Sequence, residues 1–192
     1  VLPLRPESGI ASIVTAGLAT IALRCPAHPA MRDVLIAANR PLAAPSANAS
    51  GSISPTRAEH VLKSLGGRIP MILDGGATTV GLESTIVAVG ADGSLRLLRP
   101  GPIDLGLPLD TGGGIEAPGQ LASHYAPAKP LRLNATEAAE DEWLIGFGPV
   151  GGRATLSATG DLIEAAAQLF GALYEAEASS LPRIAVAPVP GT

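Results

Sequence analysis

At 192 residues the chain is long enough for one ample domain or two modest ones. It is 46% hydrophobic but only 3% aromatic, so its core must be built from Ala, Val, Leu and Ile, as in many α/β proteins. A net charge of -4 excludes a global field that would draw in a nucleic-acid backbone, and the single cysteine, Cys25, excludes an internal disulfide and fits a reducing compartment.

No apolar run approaches the roughly 18 residues that span a bilayer, and VLPLRPESG lacks the basic and apolar regions of a signal peptide. A soluble, cytoplasmic protein is the expectation. The chain opens in an apolar strand-like run and closes at IAVAPVPGT, just after another, so it reads as a fragment cut at both ends.

Residues 18–24 (LATIALR) are short, apolar and partly β-branched, and Pro26 stops them; this predicts a strand. His28-Pro29 starts a helix over 30–39 with Met31, Val34, Leu35 and Ala38 on one face, and His28 is a candidate cap. PLAAP at 41–45 delivers an extended segment to a loop of hydroxyls, SANASGSISPT at 46–56. Ser54-Pro55-Thr56 has the residues of a helix start, which predicts a helix over 55–65 ending at Gly66-Gly67. Hydroxyls and free N–H groups at a helix N-terminus suit a polyphosphate or a carboxylate. The loop lacks the Walker spacing and any Lys, so a P-loop is excluded. A polar surface loop is the plain alternative.

Residues 69–73 predict a strand before the turn Asp74-Gly75-Gly76, and 84–89 and 95–98 flank the hairpin turn Ala91-Asp92-Gly93. These units argue for a mixed sheet. Residues 110–130, rich in Gly, Pro and Ala, read as a linker. A new αβ pattern follows: a strand at 143–147, a helix from Gly160-Asp161 to 177 and a strand at 184–187, as in the start of a Rossmann-like domain without the G-x-G-x-x-G fingerprint. The expected division is 1–109, 110–130 and 131–192.

Several side chains carry chemistry. Thr20 and Arg24 are four apart on one short strand and share a face; Arg24 needs an anionic partner or an exit to solvent. Ser84 could hydrogen-bond an amino-acid carboxylate or belong to a solvated turn. Arg99 ends a strand before Pro-Gly, suited to a phosphate clamp or to plain surface charge. His124-Tyr125 puts an aromatic in a Gly/Pro-rich linker, where it should cover a domain or a ligand. His60 reads as a surface residue facing Arg57 or Ser64. Three scattered histidines and one cysteine make no zinc set, and no G-x-S-x-G nucleophile motif occurs.

Together TIALRCPAHP, APSANASGSISPTRAEHV, ILDGG, VGLESTIV, LLRPG and SHYAP strongly resemble the threonylcarbamoyl-AMP synthase family, in its two-domain branch. The resemblance covers roughly residues 1–130 and continues more weakly through SATGDLIEAAAQLF. It implies an α/β fold: part of a YrdC-like mixed twisted sheet with flanking helices, a linker, then part of a small Rossmann-like domain. It implies condensation of L-threonine, bicarbonate and ATP, with Mg²⁺, into threonylcarbamoyl-adenylate and pyrophosphate. The product serves a tRNA adenosine through a downstream transferase.

The same resemblance places Thr20, Ser46, Asn48, Ser54, Arg99 and Tyr125 at ATP, and Arg24, Ala44 and Ser84 at threonine, with His124 and Tyr125 as a lid. No residue is implied as a covalent catalyst. The family's K-x-R-P segment and threonine-recognition stretch are missing here, where Lys occurs only at Lys63 and Lys129. The 192 residues alone are therefore expected to hold about half of the pocket, without tight ATP binding or pyrophosphate release. A YrdC-like RNA-binding module would need a basic face. A hydrogenase-maturing carbamoyl transferase would need Cys pairs. A purely structural domain leaves the hydroxyl loop and the linker tyrosine without a purpose.

Overall fold

The computed structural model describes residues 1–112, 116 and 125–190. They divide into two compact units that do not follow chain order: residues 1–45 with 83–122, and residues 46–82 with 123–192.

In the first unit, β1 (Leu2–Pro3) pairs antiparallel with β2 (Thr20–Ile21). The expected strand over 18–24 shrinks to those two residues, because its partner is short and Pro3 has no N–H to extend the ladder. Helix α1 (Ser12–Thr15) is a single turn. Helix α2 (Pro29–Ala38) ends at Asn39, which takes the left-handed conformation at φ 49°. His28 is its N-cap residue but makes no side-chain capping bond, contrary to the role read for it. The hairpin lies where the turn chemistry puts it: β3 (Ile86–Val89) pairs antiparallel with β4 (Leu95–Arg99). Its turn is closed by Asp92 Oδ1, which accepts from Ser94 N at 3.0 Å and from Ser94 Oγ at 2.6 Å. The strand begins at Ile86 rather than at Ser84, since Thr85 Oγ1 instead bridges the backbone N–H and C=O of Ile103, both at 3.0 Å. A parallel bridge between Leu97 and Leu109 adds the second strand direction.

The second unit carries a four-stranded, all-parallel sheet in the order β5-β8-β6-β7, from β5 (Leu131–Arg132), β6 (Glu142–Gly146), β7 (Ala154–Thr155) and β8 (Arg183–Val186). The connection from β6 to β7 is far shorter than the usual parallel crossover of a dozen residues or more. Glycine makes it possible: a Cβ at Gly152 would stand 2.5 Å from the Leu144 carbonyl oxygen and 2.6 Å from Gly146 N.

Helix α4 (Leu162–Ala178) covers this sheet, burying Ala165, Phe170, Ala172, Leu173 and Ala176. Ile145 and Ile184 are fully buried against it. The side chain of Asp161 caps the helix, accepting from Ile163 N at 2.7 Å and Glu164 N at 3.0 Å. At the other end Lys129 Nζ donates to the carbonyls of Ala176 and Ser179, both at 2.8 Å, where a cation meets the negative end of the helix.

Residues 46–82 belong to this unit. Ile53 is buried in the same apolar cluster as Ile145, Leu173 and Ala176. Helix α3 (Ala58–Leu65) starts three residues later than expected, with Arg57 at the N-cap and no side-chain cap, so Ser54 is not the cap. Residues 69–73 are not a strand; among the described residues no neighbouring strand pairs with them, and Met71 stays exposed.

Candidate functional site

In the first unit the structure brings together three of the residues singled out from the sequence. Arg24 Nη2 donates to Ser84 Oγ. Arg99 Nε and Nη2 donate to the Ser84 carbonyl at 3.0 and 2.8 Å, and Nη2 also reaches Ser84 Oγ at 3.3 Å. Glu83 stands 3.7 Å from Arg99 and balances part of its charge. Arg24 lies outside β2, so it reaches Ser84 from a coil segment rather than from the strand face it was expected to share with Thr20. Arg99, placed at the nucleotide by resemblance, thus stands with the two residues placed at threonine. Two guanidiniums around one hydroxyl form a fork suited to a carboxylate.

Thr20 is engaged differently: its Oγ1 donates to the Glu116 carbonyl at 2.9 Å. The Glu116 carboxylate in turn takes a bidentate pair from Arg96, at 2.9 Å on both arms, while Arg96 also binds Asp110 at 2.6 Å. Hydrogen bonds from Arg96 and from the Gly112 N–H hold the Asp110 carboxyl below its ordinary range. Arg96 was not singled out from the sequence; its alternation with leucines in LRLLR was the available signal. Ala44 is exposed in a segment without regular structure.

The hydroxyl loop in the second unit is stapled by its own polar groups. Asn48 Nδ2 donates to the Ser52 carbonyl at 2.9 Å and the Ile53 carbonyl at 3.4 Å, and Ala49 N donates to Ser64 Oγ at 2.8 Å. Asn48 Oδ1 is buried without a hydrogen-bond partner among the described residues, which is a costly state for an amide oxygen. Ser46 is exposed, whereas Ser54 and Thr56 are buried.

Beside the loop lies a shallow cavity of about 200 Å³, whose lining includes Ala47, Thr56, Ala58, Val61, Asp74 and Gly75. It combines the first residues of α3 with the Asp74-Gly75-Gly76 turn, where Gly76 N donates to Asp74 Oδ1 at 2.9 Å.

His60 is not a plain surface residue. Its ring stacks on Tyr174 of α4, with centroids 3.7 Å apart and planes inclined by 14°. Its Nδ1 accepts from Thr56 N at 3.2 Å, which makes the Nε2–H tautomer the consistent one. This backward reach from the third helical residue ties the first turn of α3 to the residue before its N-cap, and leaves the helix itself without a side-chain cap. Burial pushes the His60 pKa down; Glu59 opposes that, while Arg57 and Lys63 reinforce it. Tyr174 OH donates to the Ile53 carbonyl at 2.9 Å, and burial raises its pKa. Neither partner of this stack was identified as functional from sequence, because an isolated His and Tyr on separate helices carry no local signal.

Tyr125 is half-buried on the apolar cluster of the second unit, its ring 6.4 Å from Phe170 and tilted by 58°. Its φ of 63° is unusual for a non-glycine residue and marks a constrained backbone. His124 lies outside the described residues. Among the described residues no helix is long and apolar enough to cross a membrane, and no group of three or more His, Cys, Asp or Glu could hold a metal ion.

A family model described as "Telomere recombination" (Sua5_yciO_yrdC) matches residues 1–101. A second, described as "Threonylcarbamoyl-AMP synthase, C-terminal domain", matches residues 107–192. The chain is 42% identical over 147 residues to the threonylcarbamoyl-AMP synthase of Bacillus subtilis (strain 168), covering 69% of this chain and 42% of the relative. It is 41% identical over 159 residues to that of Schizosaccharomyces pombe, covering 71% of this chain and 39% of the relative. The crystal structure of Pyrococcus abyssi Sua5 complexed with L-threonine superposes with a TM-score of 0.81 at 29% identity, covering 96% of this chain and 63% of that one. The chain thus spans about two fifths of the length of the curated relatives it matches.

Proposed function

The chain belongs to the Sua5_yciO_yrdC family, and we propose that the protein carrying it is an L-threonylcarbamoyladenylate synthase acting in the cytoplasm. Residues 1–109 would be part of the catalytic domain, 110–130 the lid-bearing linker and 131–192 part of the second domain. The observation that carries the reading is the convergence of Arg24 and Arg99 on Ser84. A threonine carboxylate, or the carbamate made from its amine, fits that fork. The relatives named threonylcarbamoyl-AMP synthase and the threonine complex of the archaeal Sua5 support the same substrate.

The chemistry joins three reactants. The threonine amine takes up the carbon of bicarbonate, and water is lost. A carbamate oxygen then attacks the α-phosphorus of ATP as the bond to pyrophosphate breaks. Such a reaction needs positioning and charge neutralisation more than a covalent nucleophile. Arg24 and Ser84 would orient the amino acid, with the Ala44 backbone alongside. Ser46, Asn48, Ser54 and Thr20 would line the nucleotide site, and Arg99 would neutralise charge on the nucleotide. Mg²⁺ would come on the triphosphate, where it would neutralise leaving-group charge; hydroxyls such as that of Ser46 could serve it as ligands, whereas a guanidinium has no lone pair to offer. Tyr125 and His124 would exclude water, because a carbamate and an acyl-adenylate both hydrolyse. The adenylate would reach tRNA through a separate transferase.

Calorimetric titration of the complete protein tests this. Arg99→Ala and Ser46→Ala should each weaken ATP binding by about tenfold or more, as expected for lost bonds to a charged ligand. Arg24→Ala should weaken threonine binding by a similar factor. Unchanged nucleotide affinity in both of the first two variants would overturn the placement of the phosphates.

A further inference from the structure

The loop read as the nucleotide site is not anchored by its own neighbours in the chain alone. Four contacts tie it, and the segment that follows it, to α4, which lies more than a hundred residues downstream. Ile53 is buried in the cluster built on α4 and the parallel sheet. The Ile53 carbonyl accepts from Tyr174 OH at 2.9 Å across 121 positions of sequence. The Tyr174 ring stacks on His60 at 3.7 Å, and His60 Nδ1 holds the Thr56 N–H. Farther along, Gly81 runs so close to α4 that an added Cβ would meet the Ala166 carbonyl and stand 2.6 Å from Ala167 Cα.

Two of these contacts grip the two ends of one short stretch, Ile53 at one side and Thr56 at the other. Between them lie Ser54 and Pro55, with Ser54 buried. A serine held in this way has little freedom to choose its rotamer or the direction of its N–H. Tyr174 and His60 therefore define the geometry of a stretch that neither of them belongs to.

We infer that Tyr174 and His60 are positioning residues through which α4 holds the 53–56 strap in the shape that receives the ATP phosphates. This rests on the reading of the 46–56 loop as the nucleotide site. It assigns a task to the C-terminal segment: it sets ATP affinity without contacting ATP. The threonine fork at Arg24, Ser84 and Arg99 belongs to the other compact unit and should not respond.

The test uses the complete protein with Tyr174→Phe, His60→Ala and, as a control on the exposed side of α4, Ile163→Ala. Tyr174→Phe keeps the ring and loses only the hydroxyl. Two readouts are taken: backbone hydrogen exchange at Ser54 and Thr56 without ligand, and calorimetric affinity for ATP and for threonine. Tyr174→Phe should speed exchange at both amides and weaken ATP about three- to tenfold, the range of one lost hydrogen bond. His60→Ala should exceed it, and threonine affinity should stay unchanged in both. Wild-type exchange rates in both variants would overturn the clamp itself. Faster exchange with unaltered ATP affinity, while Ser46→Ala still weakens ATP, would overturn the positioning role but leave the nucleotide site in place. Insensitivity of ATP affinity to Ser46→Ala and Arg99→Ala as well would instead overturn the reading of the loop, and the inference with it. A loss of threonine affinity equal to that of ATP would also overturn it, as a general loosening of the fold.

Discussion

The two units use similar amino acids to opposite effect. In the second, the parallel sheet has a helix to lie against, and Ile145, Ile184, Phe170 and Leu173 leave the solvent. In the first, the strands form two-stranded ribbons, and among the described residues only Thr15, Ala88 and Leu98 are buried. Ile13 on α1 is 88% exposed and Ile36 on α2 is 74% exposed. A two-stranded ribbon offers no broad face on which a helix can bury an apolar stripe. Apolar content is thus a poor guide to burial; a layer on which to pack decides it.

The largest expected effect would test that contrast directly. Ile145→Ala should cost about 2–5 kcal/mol, from lost transfer energy and the cavity left behind. Ile36→Ala should stay within about 0.5 kcal/mol, because its side chain has little to lose. Urea unfolding of both variants checks this, and equal costs would break the contrast.

A second distinction is the buried acid of the parallel sheet. Glu142 accepts from Arg132 Nε at 2.9 Å, Arg132 Nη2 at 2.6 Å and Ala139 N at 3.0 Å. The Arg132 guanidinium, aided by the Ala139 N–H and against the cost of burial, holds its pKa at about 2, below the ordinary 4.5. A depressed carboxyl stabilises the fold fully above its unfolded pKa. That stability is lost as pH falls from about 4.5 toward about 2. Acid unfolding followed by the fluorescence of Trp143, the single tryptophan, should show this slope. Glu142→Gln should flatten it and lower the melting temperature by roughly 5 °C, given how steeply midpoints follow stability.

The smallest expected effect is at the start of α4. Asp161→Ala removes the acceptor for two helix N–H groups and should cost about 1 kcal/mol, whereas Asp161→Asn should recover most of it. Thermal melts of the pair decide whether this helix depends on its cap or mainly on the core beneath it.

How much of this was legible in the sequence depends on how far apart the deciding residues lie. Asp92-Gly93 gave the hairpin because a tight turn is decided by a few adjacent dihedrals. Gly160-Asp161 gave the start of α4 for the same reason. Residues 69–73 misled, since β-branched and apolar character favours a strand but cannot supply its partner. The start of α3 misled as well: Ser-Pro-Thr carries the residues of a cap, but the His60 side chain takes the Thr56 N–H. Of the candidate site, the motifs marked Arg24, Ser84 and Arg99 individually. That they converge on one hydroxyl, and that Arg96 ties Glu116 to the first unit, were visible only in three dimensions.

The sequence by itself determined the turns, the capped helix, the αβ order and the motifs of the family. These rest on chain neighbours and on residue identity. Only the tertiary structure decided that the hydroxyl loop packs with α4 and the parallel sheet. The physical reason is that Ile53 and Tyr174, 121 positions apart, have no local preference for each other; their contact follows from burial of Ile53 in a core assembled elsewhere in the chain.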